Sequence, residues 1–242
     1  MRLYGPDQEA LQAPSGSNIE FMLGVPNEDL QGISITYPRV IFWYIAVSNE
    51  ISPVNSSSQY ANYILSAIQN IYNAIAPTGL EITHLLPSIP SSFRDDVSSY
   101  IDPTVSFLTQ NGDPLLVNVY PYFSYKDNTG SMDLSYALFT SSSVAVQDPY
   151  SNLGYQNLFD AIVDAVYSAL DKVGGSNVGI VVSKSGWSTA GGTKTTVENA
   201  MIYNNNLIQH VKNGTPKKSG SLETYVFAMF DENEKSSDVE MH

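Results

Sequence analysis

The chain has 242 residues, of which 43% are hydrophobic, enough apolar material for the core of a folded globular protein. Its 11 basic and 24 acidic residues give a net charge of −13, which argues against nucleic acid or an anionic membrane as a partner, because both require positive charge. Cysteine is absent, so disulfide frameworks, thiolate nucleophiles and cysteine-ligated zinc are excluded.

Short apolar runs recur along the chain and predict buried strands. The runs are rich in Val, Ile, Tyr and Phe and are mostly continuous, which is typical of strands buried on both faces of a parallel sheet. In chain order they are a stub at Met1–Tyr4 and runs starting at Ile19, Val40, Pro114, Val178 and Leu222.

Helical periodicity fills intervals between these strands. One apolar face comprises Ile64, Ile68, Ile71, Tyr72 and Ile75. A second comprises Leu158, Ile162, Val166, Ala169 and Val173, with Gly174 as its stop signal. A third helix is expected to start at a capping box, Thr195 to Glu198, and to close at Gly214. The alternation predicts one α/β domain over residues 1–242 with a parallel sheet, either open or closed into a barrel.

Polar and aromatic residues stand at the carboxyl ends of the predicted strands, where parallel α/β folds place their active sites. They are Tyr4, Asn27, Glu28, Asn49, Glu50, Tyr120, Tyr122, Phe123, Lys184, Trp187, Asp231, Glu232 and Asn233. Aromatic faces stack on sugar rings, while carboxylates and amides bind hydroxyl groups, so the set suits a carbohydrate cleft. For any single residue, helix capping or strand propensity is the plainer interpretation.

Several other classes of site are not supported by the sequence. His84, His210 and His242 are scattered without the spacing of a metal site, so we expect neither a metal nor another cofactor. No run of about 18 apolar residues could form a transmembrane helix. The chain shows no signal peptide, although the triplets starting at Asn55 and Asn213 match the N-glycosylation pattern and are compatible with secretion.

Long motifs are spread from Met1 to His242. They are "RLYGP", "GVPNEDLQG", "YIAVSNEISP", "FRDDVSSYIDP", "LLVNVYPYFSY", "VVSKSGWSTAGG", "NLIQHVKNGTPKK" and "ETYVFAMFDENEK". In these motifs the chain resembles the plant endo-1,3-β-glucanases of glycoside hydrolase family 17. The resemblance implies a (β/α)8 barrel, retaining hydrolysis of β-1,3-glucan, an extracellular or vacuolar location, and often a role in plant defence. It leaves the oligomeric state open.

The resemblance also implies roles for individual residues. Glu50, in "VSNE", stands where the family has its acid/base, and Lys184 stands where the family has its nucleophilic glutamate. Glu232 and Lys235 match accessory residues of the family's cleft. The residues expected to bind substrate are Tyr4, Asn49, Tyr120, Phe123 and Trp187, with Tyr122 joining the last three as a sugar platform.

A lysine at the nucleophile position predicts weak hydrolysis. A retaining glycosidase uses two carboxyl groups about 5 to 5.5 Å apart, one of which attacks the anomeric carbon as an anion. An ammonium group has no lone pair for that attack, and it would favour the ionised form of Glu50 when the acid form is needed. We therefore expect hydrolysis near background. Two alternatives stay open: a β-1,3-glucan-binding protein without turnover, and a degenerate paralogue with no activity.

The chain is also shorter than the family pattern, which predicts an incomplete barrel. Compared with the family, a first strand–helix unit is missing, and the stretch from Gly32 to Ile41 hardly provides the crossover that parallel neighbours require. The family's fifth strand is expected to be degenerate, because it is compressed into Ile82–Pro90 with two prolines. The segment ends at His242, just before the family's last segment. A shortened paralogue and a partial sequence of a normal enzyme both fit these departures.

Overall fold

The computed structural model describes residues 1–5, 7–13, 17, 19–26, 28, 42–47, 49, 51, 56–75, 81–86, 95–232 and 238–242. Contacts divide the chain into two compact units. Unit 1 comprises Met1–Pro87, Ser92–Val117 and Ala169–Val181, and unit 2 comprises Ser88–Ser91, Asn118–Ser168 and Val182–His242. A single domain over residues 1–242 stays a prediction.

Strands and helices alternate along most of the chain. The strands are β1 (Arg2–Leu3), β2 (Phe21–Val25), β3 (Phe42–Val47), β4 (Glu81–Leu86), β5 (Leu115–Asn118), β6 (Val146–Gln147), β7 (Gly154–Tyr155), β8 (Ile180–Ser185) and β9 (Thr224–Val226). The helices are α1 (Gln8–Gln12), α2 (Ile64–Ile75), α3 (Asp95–Asn111), α4 (Pro121–Asp127), α5 (Leu134–Ala137), α6 (Leu158–Lys172), α7 (Val197–His210) and α8 (Asp238–Met241). A 3-10 helix, Ser56–Tyr63, precedes α2.

The main sheet has the strand order β1-β2-β3-β4-β5-β8-β9, and its described pairs are parallel. The predicted strands form at their expected places, because each continuous apolar run can be buried on both faces. The segment expected to be degenerate forms β4, which pairs with β3 and with β5. Strands β2 and β3 are parallel neighbours. The stretch from Gly32 to Ile41, in which the sequence hardly provides a crossover, lies outside the described residues.

The core of unit 1 forms where the apolar face of α2 is buried. Ile64 and Ile68 have no exposed surface and Ile71 is buried, as the periodicity predicts. The sequence pattern did not indicate α3, which contains Pro103 in its interior. A proline lacks the N–H that a helix interior uses, so this helix forms against its local preference.

The two long helices that begin in unit 2 follow the predicted pattern with local corrections. On α6, Ile162 is only half-buried, and Val163 is fully buried instead. Gly174, two residues after the end of α6, has φ +83° and acts as the expected stop signal. The capping box of α7 begins one residue later than the sequence predicts, at Thr196 instead of Thr195. Thr196 is the N-cap, and its side chain accepts a hydrogen bond from the Asn199 N–H.

The histidines have structural contacts of different kinds. His210, at the end of α7, has its Nε2 atom 2.7 Å from Oδ1 of Asp160, a buried residue of the first turn of α6. His242 Nδ1 lies 3.8 Å from Asp231 Oδ2, and His84 lies in register with Leu115. Within the described ranges, no group of three acidic or histidine residues could hold a metal ion, and no helix has the length and apolar character needed to cross a membrane.

Asp164, on α6, is a buried carboxyl group of unit 2. It accepts hydrogen bonds from the Thr215 hydroxyl and from the Lys217 backbone N–H, the latter at 2.9 Å. Burial raises the pKa of Asp164 from 3.8 to about 6, although these two hydrogen bonds and one from Tyr155 act in the opposite direction. The folded chain therefore binds a proton at Asp164 more tightly than the unfolded chain does.

We expect Asp164→Asn to remove a pH dependence of stability. The contribution of Asp164 is fully present below its unfolded pKa of 3.8 and is lost as pH rises through about 6. Relative to Asp164→Asn, the parent chain should lose about 2 to 3 kcal/mol of unfolding free energy across this range, which urea unfolding at a series of pH values measures. Asp171→Asn, an exposed change on the same helix, is the matched control. Equal pH dependence in the two variants would contradict the assignment.

Candidate active site

Strand β8 carries Lys184 to its carboxyl end, where the residue is buried with 7% of its surface exposed. Two backbone hydrogen bonds fix this end of the strand. The Val119 N–H donates to the Lys184 carbonyl at 2.9 Å, and the Phe227 N–H donates to the Ser185 carbonyl at 2.8 Å. The Lys184 Nζ lies 5.3 Å from the centre of the Phe227 ring, a distance at which a cation interacts with an aromatic face.

The residues on either side of Lys184 anchor β8 through buried hydrogen bonds. The Ser183 hydroxyl donates to Asn118 Oδ1 at 2.9 Å, and the Ser185 hydroxyl lies 2.6 Å from the Tyr203 hydroxyl of α7. Burial raises the pKa of Tyr203 above its ordinary value of 10.0, while the hydrogen bond with Ser185 acts in the opposite direction. Since side chains alternate along a strand, these anchors hold the face opposite Lys184.

Three aromatic rings lie together, and one of them, Phe227, neighbours Lys184. Tyr120 is half-buried and meets Phe123 edge-to-face at 5.7 Å and Phe227 at 6.5 Å. Phe123, near the start of α4, is 41% exposed. Edge-to-face contacts hold rings in fixed orientations, so the group offers a preorganised apolar surface of the kind that a sugar ring stacks on.

Trp187 and Tyr122 are not part of this exposed surface, which corrects the prediction that they form a sugar platform. Trp187 is 5% exposed, and Tyr122 is 1% exposed. The indole ring packs against Tyr122 at 5.2 Å and Tyr203 at 5.7 Å, and its N–H donates to the Lys194 carbonyl at 3.0 Å. Both rings are therefore buried packing residues, and the indole N–H also holds the loop after β8 at Lys194.

Two predicted residues of unit 1, Tyr4 and Asn49, are both in contact with Arg2 of β1. The Arg2 guanidinium carbon lies 4.5 Å from the centre of the Tyr4 ring, and Arg2 Nη2 donates to Asn49 Oδ1 at 3.3 Å. Tyr4 is 41% exposed. Glu50, the predicted acid/base, lies outside the described residues, as do Asn27, Asn233 and Lys235.

The chain after β9 adds exposed groups to unit 2. Glu232 is half-buried, and its backbone N–H donates to the Met241 carbonyl at 2.8 Å. Met229 and Phe230 are 77% and 76% exposed. The sequence analysis does not single out Phe227, although the aromatic run "YVFAMF", which starts within β9, is a signal that could have indicated it.

Comparisons with known proteins agree over the full chain. The family model described as Glycosyl hydrolases family 17 matches residues 1–242. A glucan endo-1,3-beta-glucosidase of Vitis vinifera is 49% identical over 271 residues, covering 100% of this chain and 78% of the relative. The basic vacuolar isoform GLB of the same enzyme from Nicotiana tabacum is 46% identical, covering 100% and 72%.

The fold agrees equally well with solved structures. A structure from a study of two plant beta-glucan endohydrolases with distinct substrate specificities has a TM-score of 0.91 and 39% identity, covering 100% of this chain and 85% of that one. The predicted fold class, an α/β fold of the (β/α)8 TIM-barrel type, is thereby confirmed, whereas the absence of a first strand–helix unit stays a prediction. The Vitis alignment spans 271 residues against 242 here, so that relative has residues without a counterpart in this chain.

Proposed function

Because the chain belongs to glycosyl hydrolase family 17, we propose that it recognises β-1,3-glucan and hydrolyses it at a rate near background. One observation carries the proposal: a buried lysine, Lys184, occupies the carboxyl end of β8, where the family resemblance expects the nucleophile. The family match supports recognition of β-1,3-glucan, and the lysine supports the loss of turnover. The vacuolar relative supports the vacuolar alternative for the location of this chain.

The lysine at position 184 opposes both the nucleophilic attack and the charge stabilisation that retaining hydrolysis requires. An ammonium group cannot form the glycosyl–enzyme bond, because it has no lone pair to attack with. The transition state carries positive charge at the anomeric carbon, which a nearby cation destabilises. The Lys184 Nζ atom lies 5.3 Å from the centre of the Phe227 ring, a distance at which an ammonium group interacts with an aromatic face.

The surroundings of Lys184 support binding. Tyr120, Phe123 and Phe227 form a fixed aromatic group, with Phe123 exposed. The backbone at both sides of the lysine is tied to neighbouring segments. A site that keeps its shape after losing its nucleophile can still hold an oligosaccharide, which favours a glucan-binding protein over a degenerate chain without function.

Two measurements on the unmodified chain test the proposal. We expect a reducing-sugar assay on laminarin to stay near the rate without protein. Isothermal titration with laminari-oligosaccharides should show saturable binding, and the oligosaccharides should be recovered uncut. Robust hydrolysis would overturn the proposed loss of activity, and absence of binding by a folded chain would overturn recognition.

Phe123→Ala tests the aromatic surface. We expect about tenfold weaker binding of laminari-oligosaccharides with little change in stability, because the ring is exposed and contributes contact to the ligand rather than to the core. Tyr150→Ala, which removes a 97% exposed ring from the turn between β6 and β7, is the matched control. Equal affinity in the two variants would remove Phe123 from the site.

A further inference from the structure

The sequence contains two Asn-Gly pairs, Asn111-Gly112 and Asn213-Gly214. Asparagine before glycine is prone to spontaneous deamidation, because no Cβ on the second residue shields its backbone nitrogen. That nitrogen attacks the asparagine side-chain carbonyl carbon, the C–N bond of the amide breaks, and ammonia leaves. Water then opens the resulting cyclic imide to aspartate or isoaspartate. The reaction therefore needs an unoccupied glycine N–H and a side-chain amide that can rotate.

The fold occupies both reacting groups of the first pair. Asn111 ends α3, and its Nδ2 donates to the Phe107 carbonyl at 2.8 Å. The Gly112 N–H donates to the Leu108 carbonyl at 2.9 Å. Attack would require both hydrogen bonds to break, so the last turn of α3 protects this pair.

The second pair lies in the turn that follows α7, and neither of its reacting groups has a hydrogen-bond partner in the part of the chain that the structure describes. Asn213 is exposed, and its side chain has no hydrogen-bond partner among the described residues. Gly214 is paired with Ser219 in an antiparallel bridge whose hydrogen bonds come from the neighbouring residues. Thr215 donates to the Lys218 carbonyl at 2.8 Å, and Gly220 donates to the Asn213 carbonyl at 3.3 Å. Within the described part of the chain, the Gly214 N–H is left without an acceptor.

We propose that Asn213 is a deamidation site of the folded protein and that Asn111 is protected by its helix. The modification matters because the same turn holds a buried carboxyl group: Thr215 and Lys217 both donate to Asp164. Isoaspartate at position 213 lengthens the backbone by one methylene group and adds a negative charge beside this turn.

The two pairs provide an internal comparison within one chain. Protein made in a bacterial host, without N-linked glycan, is aged at mildly alkaline pH, and peptide mass mapping with an isoaspartate methyltransferase assay measures each site. In the folded chain we expect Asn213 to convert at least about tenfold faster than Asn111, since two hydrogen bonds must open at the latter. In denaturant the two rates should approach each other.

Variants assign the acidic product to its site. Asn213→Gln should abolish the early acidic species on anion exchange, whereas Asn205→Gln, an exposed change within α7, should leave it unchanged. The proposal is overturned if both pairs convert equally fast in the folded chain. It is also overturned if Asn213 converts in denaturant but stays intact in the folded chain.

Discussion

Lys184→Glu is expected to raise laminarin hydrolysis by about 10³-fold or more, because it restores an anion that attacks the anomeric carbon and stabilises the positive charge of the transition state. The change needs little rearrangement of the backbone, since Val119 and Phe227 hold this end of β8 through main-chain hydrogen bonds. Glutamate is also shorter than lysine, so it fits the space without overpacking. The initial rate of reducing-sugar release measures the gain.

Two control variants separate nucleophilic attack from other effects of losing the lysine. Lys184→Gln has nearly the shape of the glutamate variant but cannot attack, so its rate should stay near background. Lys212→Glu makes the same charge change at an exposed position and should be equally inactive. If Lys184→Gln matched Lys184→Glu, removal of positive charge would be the cause. If Lys184→Glu bound glucan but stayed inactive, the missing nucleophile would not be the defect.

Gly186→Ala is expected to destabilise the chain by about 3 kcal/mol, because an added Cβ would lie 2.0 Å from the backbone carbonyl oxygen of Phe227. A backbone atom cannot swing aside as a flexible side chain does, so the ends of β8 and β9 would have to separate. The Phe227 ring, which neighbours Lys184, would move with its backbone. We therefore expect a lower midpoint of urea unfolding and weaker binding of laminari-oligosaccharides.

Gly130→Ala is the matched control for this loss. An added Cβ at Gly130 would meet no atom within 4 Å, so the same substitution should leave stability almost unchanged. If the two variants unfolded at the same urea concentration, the close approach of Gly186 and Phe227 would not restrict the side chain at position 186, and the expected loss of stability would be wrong.

The parts of the fold that the sequence predicts well are those set by local pattern. Continuous apolar runs indicated the strands of the main sheet, and a 3.6-residue period indicated the buried face of α2. Helix α3 was missed because Pro103 opposes a helix locally, while packing in unit 1 stabilises one. Thr195 and Thr196 are adjacent and chemically alike, so only the backbone direction shows which one is the cap.

The candidate site was predictable in position but only partly in detail. Strand ends and motifs indicated Lys184, Tyr120 and Phe123. The same logic misplaced Trp187, because an aromatic residue after a strand looks identical in sequence whether it faces a cleft or packs against Tyr203. The orientation of the Trp187 ring depends on its tertiary contacts with Tyr122 of α4 and Tyr203 of α7, which local sequence does not reveal. The geometry of Glu50 relative to Lys184 remains a prediction from the family resemblance.

The main-chain support of position 184 has an evolutionary consequence. The hydrogen bonds from Val119 and Phe227 involve only backbone atoms of Lys184 and Ser185, so they persist whichever side chain position 184 carries. Lysine and glutamate codons differ by one nucleotide at the first base. A single A-to-G mutation therefore separates the present chain from one with a carboxylate at this position. Such a reversion could restore the nucleophile only as long as selection preserves the surrounding scaffold.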